Sequence, residues 1–139
     1  MLLLQREDIE RVFSMKDAIE ADKEAFSLAS AQKAVMPLRT TLPATDGTFL
    51  FMPSYAEELK YGALKTVNVF PGNAEKDIPV TQGLITLMDG ETGSFAAVLD
   101  GTYVTALRTG ASAGVAFDLF ARKDASVGAL IGTGGQAQA

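Results

Sequence analysis

Neither cysteine nor histidine occurs among the 139 residues. Without cysteine there can be no disulfide framework and no thiolate zinc site. Without histidine, the commonest general base and the commonest metal ligand are both missing. Any proton transfer within these residues must fall to a carboxylate, a lysine or a tyrosine. Basic character is also scarce: 12 Lys and Arg stand against 17 Asp and Glu, a net charge of -5, and no Lys/Arg run occurs. That excludes the footprint of a nucleic-acid binder. Met1-Leu2-Leu3-Leu4 is too short for a signal-peptide core and runs at once into Gln5-Arg6-Glu7-Asp8. No apolar run approaches the roughly 18 residues of a membrane span. The expectation is a cytoplasmic protein with no nucleic-acid or membrane partner and no metal.

What is present suits one soluble domain with a real core: 47% hydrophobic and 21% charged residues, without internal repeats or low-complexity linkers. Leu2 to Leu4 suggest a short strand, and Glu7 to Phe13 one or two helical turns. Ser14, with Asp17 three residues on, reads as an N-cap in an Asp variant of the capping box. Apolar residues from Ala18 to Ala29 then recur at helical spacing, predicting an amphipathic helix over Met15 to about Gln32 with Asp22 inside its apolar arc. Arg39 to Leu42 and Thr48 to Met52 flank a hairpin signal at Thr45-Asp46-Gly47. Gly62 to Phe70 reads as a strand ending at Pro71-Gly72-Asn73. Leu84 to Met88 and Ser94 to Leu99 flank Asp89-Gly90-Glu91-Thr92-Gly93, the clearest hairpin of the chain. Thr102 is placed to cap a second helix whose buried stripe is Val104, Leu107, Ala111, Val115 and Leu119. The expected class is α+β: a mixed, largely antiparallel sheet with flanking helices.

Three cations stand out. Lys65 shares a strand face with Ala63, Val67 and Val69, all apolar. It either snorkels from a sheet edge into water or meets an anion in a pocket. Arg108 lies early in the second helix on a polar arc with Thr105, Thr109 and Ser112. It either sits on a solvated face or, with the helix N-terminus, receives a carboxylate or phosphate. Arg39 follows Met36-Pro37-Leu38 and could point into the sheet interior or out of it.

The apolar run Val127 to Ile131 leads into Gly132-Thr133-Gly134-Gly135-Gln136-Ala137. This is the G-x-G-x-x-A spacing of a turn that holds a dinucleotide pyrophosphate against a helix N-terminus. The preceding strand is half of the required context. The helix and the acidic residue about 20 positions on are not in these residues.

Several stretches, in order, resemble the ornithine cyclodeaminase/mu-crystallin family: MPLRT at Met36 to Thr40, FMPSY at Phe51 to Tyr55, GALKTVNVFPGN at Gly62 to Asn73, DGETGSFAAVLDG at Asp89 to Gly101, TALRTGASAG at Thr105 to Gly114, and IGTGGQA at Ile131 to Ala137. Together they cover the chain almost end to end, and the pairing of LRTGA with GTGGQA is specific.

Members of that family are more than twice this length. The resemblance therefore implies a substrate-binding and dimerisation domain over residues 1–124. Residues 125–139 would then be the first strand and glycine turn of an NAD(P)-binding Rossmann domain. It implies a cytoplasmic homodimer that uses NAD or NADP and moves hydride between nicotinamide and the alpha carbon of a small amino acid or its imine. The activity would be that of an ornithine cyclodeaminase, an alanine dehydrogenase or a pyrroline-2-carboxylate reductase. The family's substrate-carboxylate cations fall on Arg39, Lys65 and Arg108. Its cofactor positions fall on Thr109, Gly132, Gly134, Gly135, Gln136 and Ala137. The catalytic aspartate of the family lies beyond Ala139, so no acid/base is expected here, and these residues alone are expected to be inactive. In the ornithine-specific branch an acidic residue precedes the Met-Pro by two; here that place is Leu50. A leucine cannot pair with a side-chain ammonium, which favours alanine or a cyclic imine. A non-catalytic, crystallin-like binder and a stand-alone dimerisation module are the other readings.

Overall fold

The computed structural model describes residues 1–134, 136 and 137. Its elements are β1 (Leu2–Leu4), α1 (Arg6–Val12), α2 (Met15–Ser30), β2 (Ala34–Val35), β3 (Thr40–Ala44), β4 (Gly47–Ala56), β5 (Tyr61–Val69), a 3-10 turn (Pro71–Lys76), β6 (Thr81–Asp89), β7 (Phe95–Asp100) and α3 (Gly101–Phe120). The strands make one sheet in the order β1-β7-β6-β5-β4-β2, with β3 also paired to β4. Every pair is antiparallel except β1 with β7, which is parallel. The class is therefore α+β as expected.

Turns and caps form where their side chains can satisfy backbone donors. The Asp89 carboxylate accepts from the Glu91 and Thr92 amides and the Thr92 hydroxyl, closing the β6–β7 hairpin. Ser14 and Asp17 form the reciprocal capping box at the start of α2. At α3 the cap is Asp100, whose carboxylate accepts from the amides of Thr102 and Tyr103, rather than the expected Thr102. Thr102 serves another purpose, its hydroxyl accepting from the Gly83 amide at 2.9 Å.

The helices lie on one face of the sheet. Register places Val67 opposite Gly83 and Ala97 opposite Leu87, and Val67 and Ala97 are the buried strand residues. Helix α3 starts in backbone contact with β6: a methyl added at Gly101 would stand 2.5 Å from the Leu84 amide nitrogen. Helices α2 and α3 run side by side with Ala18, Leu107 and Ala111 as the core between them. Asp22, anomalous in an apolar arc, accepts a 2.6 Å hydrogen bond from the Ser112 hydroxyl across this interface. The buried stripe of α3 ends at Val115; the expected Leu119 is 61% exposed, because no described element covers the last turn.

No described helix lies on the opposite face of the sheet. Leu3, Leu42 and Leu84, which register assigns to that face, are all exposed. Residues 125–133 adopt no regular structure, and Val127, Leu130 and Ile131 are exposed. The expected strand over Val127 to Ile131 does not form, since a strand needs a partner to satisfy its amides. No described helix is long and apolar enough to cross a membrane.

Candidate functional site

Lys65 sits at the middle of β5, which lies between β4 and β6 in the sheet. That removes the reading in which it escapes from a sheet edge. Its register partners are Met52 on one side and Ile85 on the other, and it is only partly exposed. The side chain projects from the face that carries Val67, beneath α3.

Arg39 immediately precedes β3. The β3–β4 register, in which Thr40 faces Phe51, carried one residue further sets Arg39 level with Met52, the strand neighbour of Lys65. Arg108 comes from α3, one residue after the buried Leu107, and is exposed. The helix is held in place by the Thr102–Gly83 bond at its start and the Ser112–Asp22 bond further along. Thr109 donates its hydroxyl to the Thr105 carbonyl, four residues back, at 2.7 Å, whereas the single Ser112 hydroxyl proton is shared between Asp22 at 2.6 Å and the Arg108 carbonyl at 2.8 Å.

The three cations thus converge from a strand, a helix and a loop. Burial costs the Lys65 ammonium its hydration and lowers its pKa from 10.5 to about 8, with Arg108 and then Arg39 acting in the same direction. The ion pairs among the described residues are made by Arg6, Arg11, Lys23, Lys33, Lys60 and Arg122. Arg39, Lys65 and Arg108 make none. In a chain with five more acids than bases, these three neighbouring cations are left without a carboxylate among the described residues, an arrangement chemically suited to an anion. Leu50 is paired with Val67 and so stands on the same face, diagonally across from Lys65. Sequence reasoning missed the fastening role of Asp22 and Thr102; Asp22's place in an apolar arc was the available signal.

A groove of about 700 Å³ lies elsewhere, between α1 and the starts of α2 and α3. Its Arg6 is already paired with Glu10 and stacked over Tyr103, so it offers no unmet charge.

The glycine turn is separate from this cluster in kind. Gly132 has φ +103, in the region that favours glycine, and no atom of the described residues lies within 4 Å of a methyl added at Gly132 or Gly134. Gln136 is exposed, and the Ala137 amide donates to the Gly134 carbonyl at 2.9 Å. Gly135 lies outside the described residues. Bare backbone of this kind suits close approach by a pyrophosphate. No group of three or more acids among the described residues could hold a metal ion.

The sequence matches the ornithine cyclodeaminase/mu-crystallin family over residues 1–139. It is 43% identical to alanine dehydrogenase of Archaeoglobus fulgidus over 136 residues, which cover 98% of this chain and 42% of that one. The fold is similar to an archaeal alanine dehydrogenase dimer with bound NAD, with a TM-score of 0.91 and 42% identity across 99% of this chain and 42% of that one. It is similar also to the Delta(1)-pyrroline-2-carboxylate reductase of Thermococcus litoralis in complex with NADH and L-proline. There the TM-score is 0.84 and the identity 44%, across 89% of this chain and 39% of the other. The chain spans under half the length of these relatives, and it belongs to the ornithine cyclodeaminase/mu-crystallin family.

Proposed function

We propose that the protein is an NAD(P)-dependent enzyme that moves hydride between the alpha carbon of a small amino acid, or its imine, and a nicotinamide. The observation that carries this reading is the convergence of Arg39, Lys65 and Arg108 without an acidic partner. Two guanidiniums and an ammonium around one carboxylate would hold the alpha carbon in a single orientation, and orientation of that kind contributes several kcal/mol to a bimolecular step. In this reading residues 1–124 are the substrate domain and residues 125–139 the entrance to the nucleotide domain.

Gly132, Gly134, Gln136 and Ala137 would meet the cofactor pyrophosphate, with Gly135 between them and Thr109 near the phosphates. When bound, the cofactor supplies the hydride acceptor or donor. This chain's own residues bind and orient the carboxylate. Leu50, on the face of Lys65, offers a substrate side chain an apolar neighbour, which suits alanine or a cyclic imine such as pyrroline-2-carboxylate better than ornithine. A homodimer is supported by the helix-free sheet face with its exposed Leu3, Leu42 and Leu84 and by the dimeric alanine dehydrogenase of similar fold.

In the full-length protein, Lys65→Ala and Arg108→Ala test the carboxylate assignment. Each removes a charge-assisted hydrogen bond of about 1.5–3 kcal/mol, so the Michaelis constant for the amino acid should rise about 10- to 100-fold. Wild-type kinetics in both variants, across every substrate accepted, would remove the assignment.

A further inference from the structure

We infer that the cation cluster takes up a proton together with its carboxylate, so that anion binding and the charge on Lys65 form one equilibrium. The inference rests on the carboxylate reading above and adds a regulatory property to it.

The geometry requires such a coupling. The neighbours of Lys65 on its own face are uncharged: Leu50, Met52 and Ser54 from β4, Gly83, Ile85 and Leu87 from β6, and Ala63 and Val67 from β5 itself. Helix α3 contributes Arg108, and the segment ahead of β3 contributes Arg39. The acids on or fastened to α3 are engaged elsewhere: Asp100 caps its first turn, Asp22 accepts from the Ser112 hydroxyl, and Asp118 pairs with Lys23. Among the described residues, the charges acting on Lys65 are therefore of its own sign. A guanidinium does not give up its proton in a protein, so only Lys65 can relieve the repulsion.

In the free protein it does so as pH rises through about 8. An entering carboxylate supplies the missing counter-charge and restores the preference for the ammonium. Binding then draws little from solution at neutral pH, about 0.1 proton at pH 7, but about 0.9 at pH 9. Affinity should fall up to about tenfold per pH unit above 8 until the bound-state value is reached.

Titration calorimetry with pyruvate, whose carboxylate carries no other group titrating between pH 7 and 9, measures this directly. At pH 9 the heat should differ between two buffers of unlike ionisation enthalpy by the equivalent of nearly one proton, and at pH 7 the difference should nearly vanish. Lys65→Arg, whose charge is fixed, should bind pyruvate with heats that are the same in both buffers. Buffer-independent binding by the wild type at pH 9 would overturn the coupling while leaving the carboxylate site intact. A proton still taken up by Lys65→Arg would place the titrating group elsewhere and overturn it equally. No pyruvate binding at either pH would instead remove the carboxylate reading, and the coupling with it.

Discussion

Two regions carry the family's binding motifs, and they are built in opposite ways. The cation cluster is assembled by packing: Lys65 from mid-sheet, Arg108 from a helix seated on that sheet, Arg39 from the entry to a flanking strand. The glycine turn is exposed backbone at the end of an uncovered apolar segment. A site made of side chains on a closed core needs only that core. A site made of backbone amides needs the strands and helix that aim them. The glycine turn is clear in the sequence by its spacing alone, whereas the cation cluster is brought together only by the fold of these residues.

The largest effect should come from breaking the seat of the first region. At Gly101 an added methyl meets the Leu84 nitrogen and the Gly83 carbonyl carbon at 2.5 and 2.6 Å, all backbone atoms that cannot turn aside. Gly101→Ala should cost about 3 kcal/mol or more, at the upper end for an overpacked site, and displace α3 with its Arg108. Denaturant unfolding measures the loss, and a loss under 1 kcal/mol would show that α3 is not seated at this contact.

Next is the electrostatic tension in the cluster. The folded state holds the Lys65 pKa at about 8, below the 10.5 of an unperturbed lysine. Its charged form is thus penalised by folding at every pH below 8. Between 8 and 10.5 the folded protein loses a proton that the unfolded chain keeps, and the penalty disappears as pH rises. Lys65→Met should therefore stabilise the protein at pH 7 while abolishing carboxylate binding. The gain should be about 1–2 kcal/mol, below the linkage value of roughly 3 kcal/mol because the lysine retains part of its hydration. It should shrink toward zero by pH 10.5. A gain independent of pH would mean that packing, not charge, is responsible.

Local features were the most legible from sequence. The Asp89–Gly93 turn and the Ser14 capping box announce themselves because the side chains that satisfy the backbone lie within three residues of the amides they serve. The apolar face around Lys65 was legible too, by alternation alone. Its central position was not, since strand order is decided by contacts between distant segments. The parallel pairing of β1 with β7 was hidden for the same reason, bringing Leu2 beside Ala97. Thr102 and Asp100 were both able to cap α3, and the choice depended on Gly83, 19 residues away, claiming the threonine hydroxyl. The proximity of Arg39, Lys65 and Arg108 could be anticipated only through the family resemblance, because no spacing rule joins residues 39, 65 and 108.

The smallest effect should lie in the second region, and it sharpens the contrast with Gly101. At Gly134 no described residue occupies the place where a side chain would stand, and its backbone is not among the described positive-φ glycines. Alanine there removes freedom from the unfolded chain without meeting a neighbour, so Gly134→Ala should change stability by less than about 0.5 kcal/mol. Its consequence should fall on the cofactor instead, where the methyl would keep the pyrophosphate from the bare backbone. In the full-length protein the dissociation constant for NADH or NADPH should rise while the melting temperature stays put. A melting temperature lowered by several degrees would mean that the turn is packed after all. The same substitution, glycine to alanine, would then separate structure from function: at Gly101 it removes the fold under the carboxylate site, and at Gly134 it leaves the fold and obstructs the ligand.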